Sequence, residues 1–138
     1  EDQGRHFVKT AAEPACDTHD HTSPVRALPV SAEALERASL LFRAMGDMAR
    51  LRLLGMLAQG PACVSELAAI EGETVSTISQ RLRVLRSERL VTRCRDGKHI
   101  NYALADQHVL DLVFSAMAHA SEAHAKTTSE HLLPEEQS

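Results

Sequence analysis

Val64 to Leu104 reads VSELAAIEGETVSTISQRLRVLRSERLVTRCRDGKHINYAL. Two helical patterns fill its first half. The first is short, from Val64 to about Ile70. The second opens at Thr74 and runs to about Glu88, with Val75, Ile78, Leu82 and Leu85 at three- and four-residue spacing as its inward face. Between them Glu71-Gly72-Glu73 is a tight connection, and two helices joined by a short Gly-containing turn are a helix-turn-helix signature. The outward face offers Ser76, Thr77, Ser79, Gln80, Arg81 and Arg83. Those small polar and basic side chains can hydrogen-bond base edges and phosphates.

An ordinary surface helix would show the same amphipathic stripe, so the next segment decides. Leu90 to Leu104 places Asp96-Gly97, a strong hairpin-turn dipeptide, between two strand-like runs. A helix-turn-helix followed by a basic hairpin is a winged helix, with Arg95, Lys98 and His99 at the tip, in reach of a DNA backbone or minor groove. Charge agrees. The chain carries a net −4, which alone argues weakly against nucleic acid. From Thr74 to Leu104, however, seven basic residues face two acidic ones, so this segment holds +5 and the remainder −9. A local basic surface is what phosphate binding needs.

Upstream, Ser31 is an N-cap candidate for a helix carrying Ala34, Leu35, Ala38, Leu41, Phe42 and Met45, ending near Gly46. Asp47 then caps a second helix with Leu51, Leu53, Leu54, Met56 and Leu57, stopped by Gly60-Pro61. Residues 1–29 contain Pro14, Pro24, Pro29 and the cluster Cys16-Asp17-Thr18-His19-Asp20-His21, and read as a flexible arm. Residues 30–125 form the folded domain, and residues 126–138, ending LLPEEQS, read as a disordered tail. With 138 residues, 43% hydrophobic and 3% aromatic, one domain with an aliphatic core is expected. No apolar run reaches the ~18 residues of a membrane span, and the start, EDQGRHFVKT, has no apolar leader. Three scattered cysteines are no disulfide framework, which points to a reducing cytoplasm with thiols free for metal. The first residue is not Met, and the first ten residues carry no weight in this reading.

Downstream, Asp106 to Glu122 reads DQHVLDLVFSAMAHASE. Val109, Leu112, Val113, Ala116 and Ala120 form an apolar helical stripe, and the Asp106 carboxylate suits the positive end of the helix dipole. His119 and Glu122 share a face, and His108 returns to nearly that face eleven residues earlier. Along the axis that separation is about 16 Å, too far for one ion. A second copy of the helix running antiparallel closes the geometry: Asp106 and His108 of one chain meet His119 and Glu122 of the other, twice by symmetry. Two imidazoles and two carboxylates suit Zn(II).

The pattern D-x-H, ten residues, H-x-x-E is similar to the fifth-helix sensor site of the ArsR/SmtB family of metal-responsive repressors. MGDMARLRLLGMLA resembles that family's second helix, and the likeness extends from about Ser31 to Glu122. It implies a mainly α, homodimeric winged helix-turn-helix with a small β-hairpin, a metal site across the dimer interface, and DNA binding weakened by metal. It also implies that the regulated gene is a metal exporter or a metallothionein.

The segment Cys63-Val64-Ser65-Glu66-Leu67 resembles the family's C-V-x-[DE]-L stretch, which implies a second metal site there with Cys63 and Glu66. In relatives with this site the N-terminal arm adds ligands, here Cys16, His19 and His21. Such a set would take Cd(II) or Pb(II) as well as Zn(II). Ser65 stands where the most cadmium-adapted relatives carry another Cys, so a mixed donor set is expected. Cys63 as a small buried hydrophobe is the plain alternative, and Cys94, alternating within a wing strand, reads as structural.

There is no H-E-x-x-H, G-x-S-x-G, P-loop or G-x-G-x-x-G, and four protein ligands leave no open position for a catalytic water. The expected function is therefore not enzymatic. It is a homodimeric repressor that leaves its operator when Zn(II), Cd(II) or Pb(II) binds. Two rivals are a thiol-based redox or persulfide sensor using Cys16, Cys63 or Cys94, and an interaction module with a purely structural metal.

Overall fold

The computed structural model describes residues 27–130, with side chains to residue 124. Five helices and three strands follow in the order α1 (Ala32–Met45), α2 (Met48–Leu57), β1 (Ala62–Cys63), α3 (Val64–Glu71), α4 (Val75–Ser87), β2 (Val91–Asp96), β3 (His99–Leu104) and α5 (Gln107–Glu130). This is a winged helix-turn-helix, mainly α with a small antiparallel sheet. Among the described residues no helix is long and apolar enough to cross a membrane.

The helix starts are chemically explicit. Ser31 Oγ accepts from Ala34 N at 3.1 Å, Asp47 Oδ1 from Arg50 N at 3.0 Å and Thr74 Oγ1 from Thr77 N at 3.1 Å. Each side chain satisfies one amide that the helix itself leaves unpaired. Gly72, at φ 66, closes α3 in the left-handed conformation that glycine adopts without steric cost. The end of α4 makes the same turn without a glycine. Arg89 sits at φ 57, Arg89 N donates to Arg86 O at 3.0 Å, and Leu90 N to Leu85 O at 2.9 Å. These are the two bonds of a Schellman cap, formed here around an arginine.

The core is aliphatic, as the composition implies. Leu53, Leu54, Leu67, Ile78, Leu82, Leu85, Leu90, Val91 and Val113 are fully enclosed, each contributing about 1.5–3 kcal/mol by leaving water. Val75, expected on the inward face of α4, is 53% exposed: it begins the helix, beyond the reach of the core. On α1 the expected stripe divides. Ala44 and Met45 are buried and Leu41 packs against them, whereas Leu35 and Phe42, seven residues apart, face outward. On α5, Val109 and Val113 are buried, but Ala116 and Ala120 are exposed because the helix has by then run past the core. The helix continues to Glu130, past the tail boundary expected at residue 126.

Two features of the wing differ from the reading of the sequence. Asp96 pairs with His99, so the two-residue turn is Gly97-Lys98 rather than Asp96-Gly97. Gly97 has φ 60 and Lys98 does not, which is the pattern of a II′ turn with glycine first. A third strand is also present: β1 pairs antiparallel with β3 through Ala62–Tyr102 and Cys63–Asn101, giving the order β1-β3-β2. Across the helices, Arg52 grips Glu71 in a fork, Nε to the two carboxylate oxygens at 3.2 and 3.0 Å and a terminal nitrogen to Oε1 at 3.0 Å. Hydrogen bonding by Glu71 raises the Arg52 pKa above its ordinary value.

Candidate functional site

Helix α4 presents its polar residues in three directions. Ser76, Gln80 and Arg83, at steps of four and three, are exposed on the side opposite Ile78, Leu82 and Leu85. That face is free to enter a major groove. Thr77 and Arg81 lie on one flank and are engaged within the protein. Thr77 Oγ1 is 2.9 Å from Thr74 Oγ1, and Arg81 pairs with Glu73 at 3.2 Å. These contacts brace the turn between α3 and α4. On the other flank Ser79 and Arg83, joined by Arg86, turn toward the wing.

The wing tip carries Arg95, Lys98 and His99, all exposed. Arg95 Nε donates to Gly97 O at 3.2 Å, steadying the turn beneath Lys98. Arg86 and Arg93 were not among the residues singled out from the sequence, yet with Ser79, Arg83 and Tyr102 they line one cleft between α4 and the sheet. The spacing of Ser79, Arg83 and Arg86 on one helical flank was a usable signal. The arrival of Arg93 opposite them depends on sheet register.

The candidate metal donors of α5 fall into two groups. Asp106 and His108 stand together at the start of the helix, with His108 Nδ1 3.8 Å from Asp106 Oδ1, and the His108 side chain is 96% exposed. Asp106 Oδ1 also accepts from Val109 N at 3.0 Å, capping α5. Among the described residues no hydrogen bond uses the other carboxylate oxygen. His119 and Glu122 are both exposed, about 16 Å further along at the helical rise. The described residues of one chain hold no group of three or more such donors in reach of one ion. On α5 Phe114 is 54% exposed, and on α1 Phe42 is 58% exposed.

The second candidate site is seen in part. Cys63 is half-buried, its N–H donates to Glu66 Oε2 at 3.3 Å, and its Sγ lies 3.2 Å from Ser65 Oγ. Glu66 thus serves the start of α3. Cys16, His19 and His21 lie outside the described residues. Cys63 and Cys94 both pair with Asn101, one from each side of β3. Two strand spacings separate them by about 10 Å, beyond the span of a disulfide between Cα atoms. A direct Cys63–Cys94 bridge within one chain is therefore not favoured.

Comparison with known proteins adds four findings. Residues 47–93 match the family described as bacterial regulatory protein, arsR family. The chain is 38% identical over 113 residues to a transcriptional repressor SmtB homolog of Synechocystis sp., covering 79% of this chain and 86% of that protein. It is 34% identical over 103 residues to the HTH-type transcriptional regulator NmtR of Mycobacterium tuberculosis, covering 75% and 86%. Among solved structures, a homodimeric winged helix-turn-helix DNA-binding domain from Mycobacterium bovis superposes with a TM-score of 0.65 at 28% identity. That domain is described as a possible ArsR-family transcriptional regulator, and the match covers 72% of this chain and 93% of that one.

Proposed function

Because the chain belongs to the ArsR/SmtB family of DNA-binding transcriptional regulators, we propose that it is a homodimeric repressor that leaves its operator when Zn(II) binds. Cd(II) and Pb(II) are further candidate inducers, and the controlled genes serve metal efflux or sequestration. The observation that carries this reading is the division of donors along α5. Asp106 and His108 stand side by side at one end, His119 and Glu122 at the other, on a helix that keeps Phe114 uncovered. Neither half is a site alone. An antiparallel second copy of α5 supplies the missing half to each, and its apolar side chains cover Phe114. The donors fit: two imidazoles and two carboxylates match Zn(II), and the Asp106 oxygen not used in capping is available. A bound ion would act there as a structural clamp between helices.

The fold supplies the link to DNA. Helix α5 packs on α2, and α2 packs on α4. Ser76, Gln80 and Arg83 read the major groove, while Arg95, Lys98 and His99 reach the flanking backbone. Two copies of α4 must stand about 34–36 Å apart to enter successive grooves, so a dimer geometry set by α5 decides whether both fit. The coupling is reciprocal: operator DNA must weaken metal binding by the same factor.

The test is operator affinity with and without Zn(II), Cd(II) and Pb(II), in reducing and oxidising buffer, for the native chain and for His108→Ala/His119→Ala. The native protein should lose operator affinity with metal. The double variant should bind DNA equally well and ignore Zn(II), since neither histidine belongs to the basic segment. If it still releases its operator at the native zinc concentration, α5 is not the sensor, and the Cys63 and Glu66 site with Cys16, His19 and His21 takes that role.

A further inference from the structure

Three arginines converge on one cleft without a counter-charge. Arg83 and Arg86 come from the flank of α4, and Arg93 from β2, where it pairs in register with Tyr102. Ser79, Tyr102 and the apolar Val64 and Ile100 complete the lining. The cavity is about 300 Å³. Three other arginines have carboxylate partners: Arg37 pairs with Glu33, Arg52 with Glu71 and Arg81 with Glu73. Among the described residues no carboxylate or carbonyl engages Arg83, Arg86 or Arg93. Like charges placed around a common space repel unless an anion lies between them, and a guanidinium fork suits two oxygens of one phosphate.

We propose that this cleft is a phosphate site, seating one phosphodiester of the DNA backbone between the recognition helix and the wing. The assignment rests on the DNA-binding reading above and adds to it a defined anion position held by Arg86 and Arg93. The backbone of DNA is the favoured source because Arg83 belongs both to the cleft and to the exposed face of α4. A strand passing that face therefore arrives at the cleft mouth. A volume of this size accommodates a small anion with its water, at the lower limit of ligand pockets.

The experiment measures affinity for a mixed-sequence DNA duplex against salt, for the native chain, Arg86→Gln, Arg93→Gln, the double variant and Arg93→Lys. Each phosphate contact contributes about 0.9 to the slope of log affinity against log salt. If both arginines hold one phosphate, the double variant loses about 0.9. Its affinity then falls about 3.5-fold less than the native chain's between about 50 and 200 mM salt. Each single variant should already show most of that loss, and Arg93→Lys should keep the slope with weaker binding. In a second arm, inorganic phosphate is titrated against chloride at matched ionic strength, reading the arginine Nε–H resonances by NMR. Shifts at Arg83, Arg86 and Arg93, together with the lowered slope, support the proposal. A loss of about 1.8, additive between the single variants, means two separate phosphates and overturns it. Saturable phosphate binding with native slopes in all variants makes free phosphate the ligand and overturns the DNA assignment. Native slopes with no NMR shift remove the site altogether. A native chain that fails to bind the duplex would overturn the regulator reading instead.

Discussion

Gly55 lies inside α2, in an ordinary helical conformation, so its backbone does not require glycine. Its reason is the approach of α5. A Cβ at this position would stand 2.8 Å from Met117 Cε and 3.7 Å from Met117 Sδ. Carbon atoms in contact prefer about 3.5–4.0 Å, so in Gly55→Ala the methyl end of Met117 must retreat by roughly 1 Å. Met117 is half-buried, unbranched and free at its far end, which makes the retreat possible at about 0.5–1.5 kcal/mol of rotamer strain. Alanine in place of glycine returns about 1 kcal/mol of helix propensity. The two effects nearly cancel, and Gly55→Ala alone should change stability by less than about 0.5 kcal/mol. In a Met117→Ala background the obstacle is gone and the same substitution should stabilise by about 1 kcal/mol. Urea unfolding at fixed protein concentration, over all four corners of the cycle, gives the coupling directly. Equal effects of Gly55→Ala in the two backgrounds would show that Met117 is not what keeps residue 55 small.

Arg89→Gly should stabilise the fold by a few tenths to about 1 kcal/mol, read as a higher urea midpoint, because relief of the left-handed strain outweighs the added freedom of the unfolded chain; Arg89→Val should lower the midpoint. Glu71→Gln should lower the thermal midpoint in a scanning calorimeter by breaking the fork with Arg52, since the Glu71 side chain is only 7% exposed, and Arg52→Lys should recover little because the contact is bidentate.

The helices were legible because their signals are local. Ser31 and Asp47 cap where their side chains announce it, and Ile78, Leu82 and Leu85 point inward by spacing alone. What escaped the sequence is what depends on distant partners. Val75 fits the inward stripe yet lies beyond the core, and Leu35 and Phe42 share a helix with the buried Met45 but stay exposed. The two residues of β1 carry no pattern of their own and become a strand only because β3 passes beside them. The pairing of Arg81 with Glu73, eight residues earlier, was likewise not announced by spacing. At the metal site the types and spacings of Asp106, His108, His119 and Glu122 were visible from the start. The nearness of Asp106 to His108 needed the cap at Val109 to appear.

β1 also changes the mechanical character of the wing. A hairpin attached only through its two ends would swing as a flap, and its tip charges would sample a wide arc. Here β3 is clamped on both edges near Asn101 and Tyr102, between the chain entering α3 and the strand leaving α4. The base of the wing is thus riveted to both helices of the reading head, while Arg95 to Lys98 project beyond the rivets as a short cantilever. Any tilt of α3 is carried into the wing as a rotation of its root, and the stubby overhang limits how far the tip can lag behind.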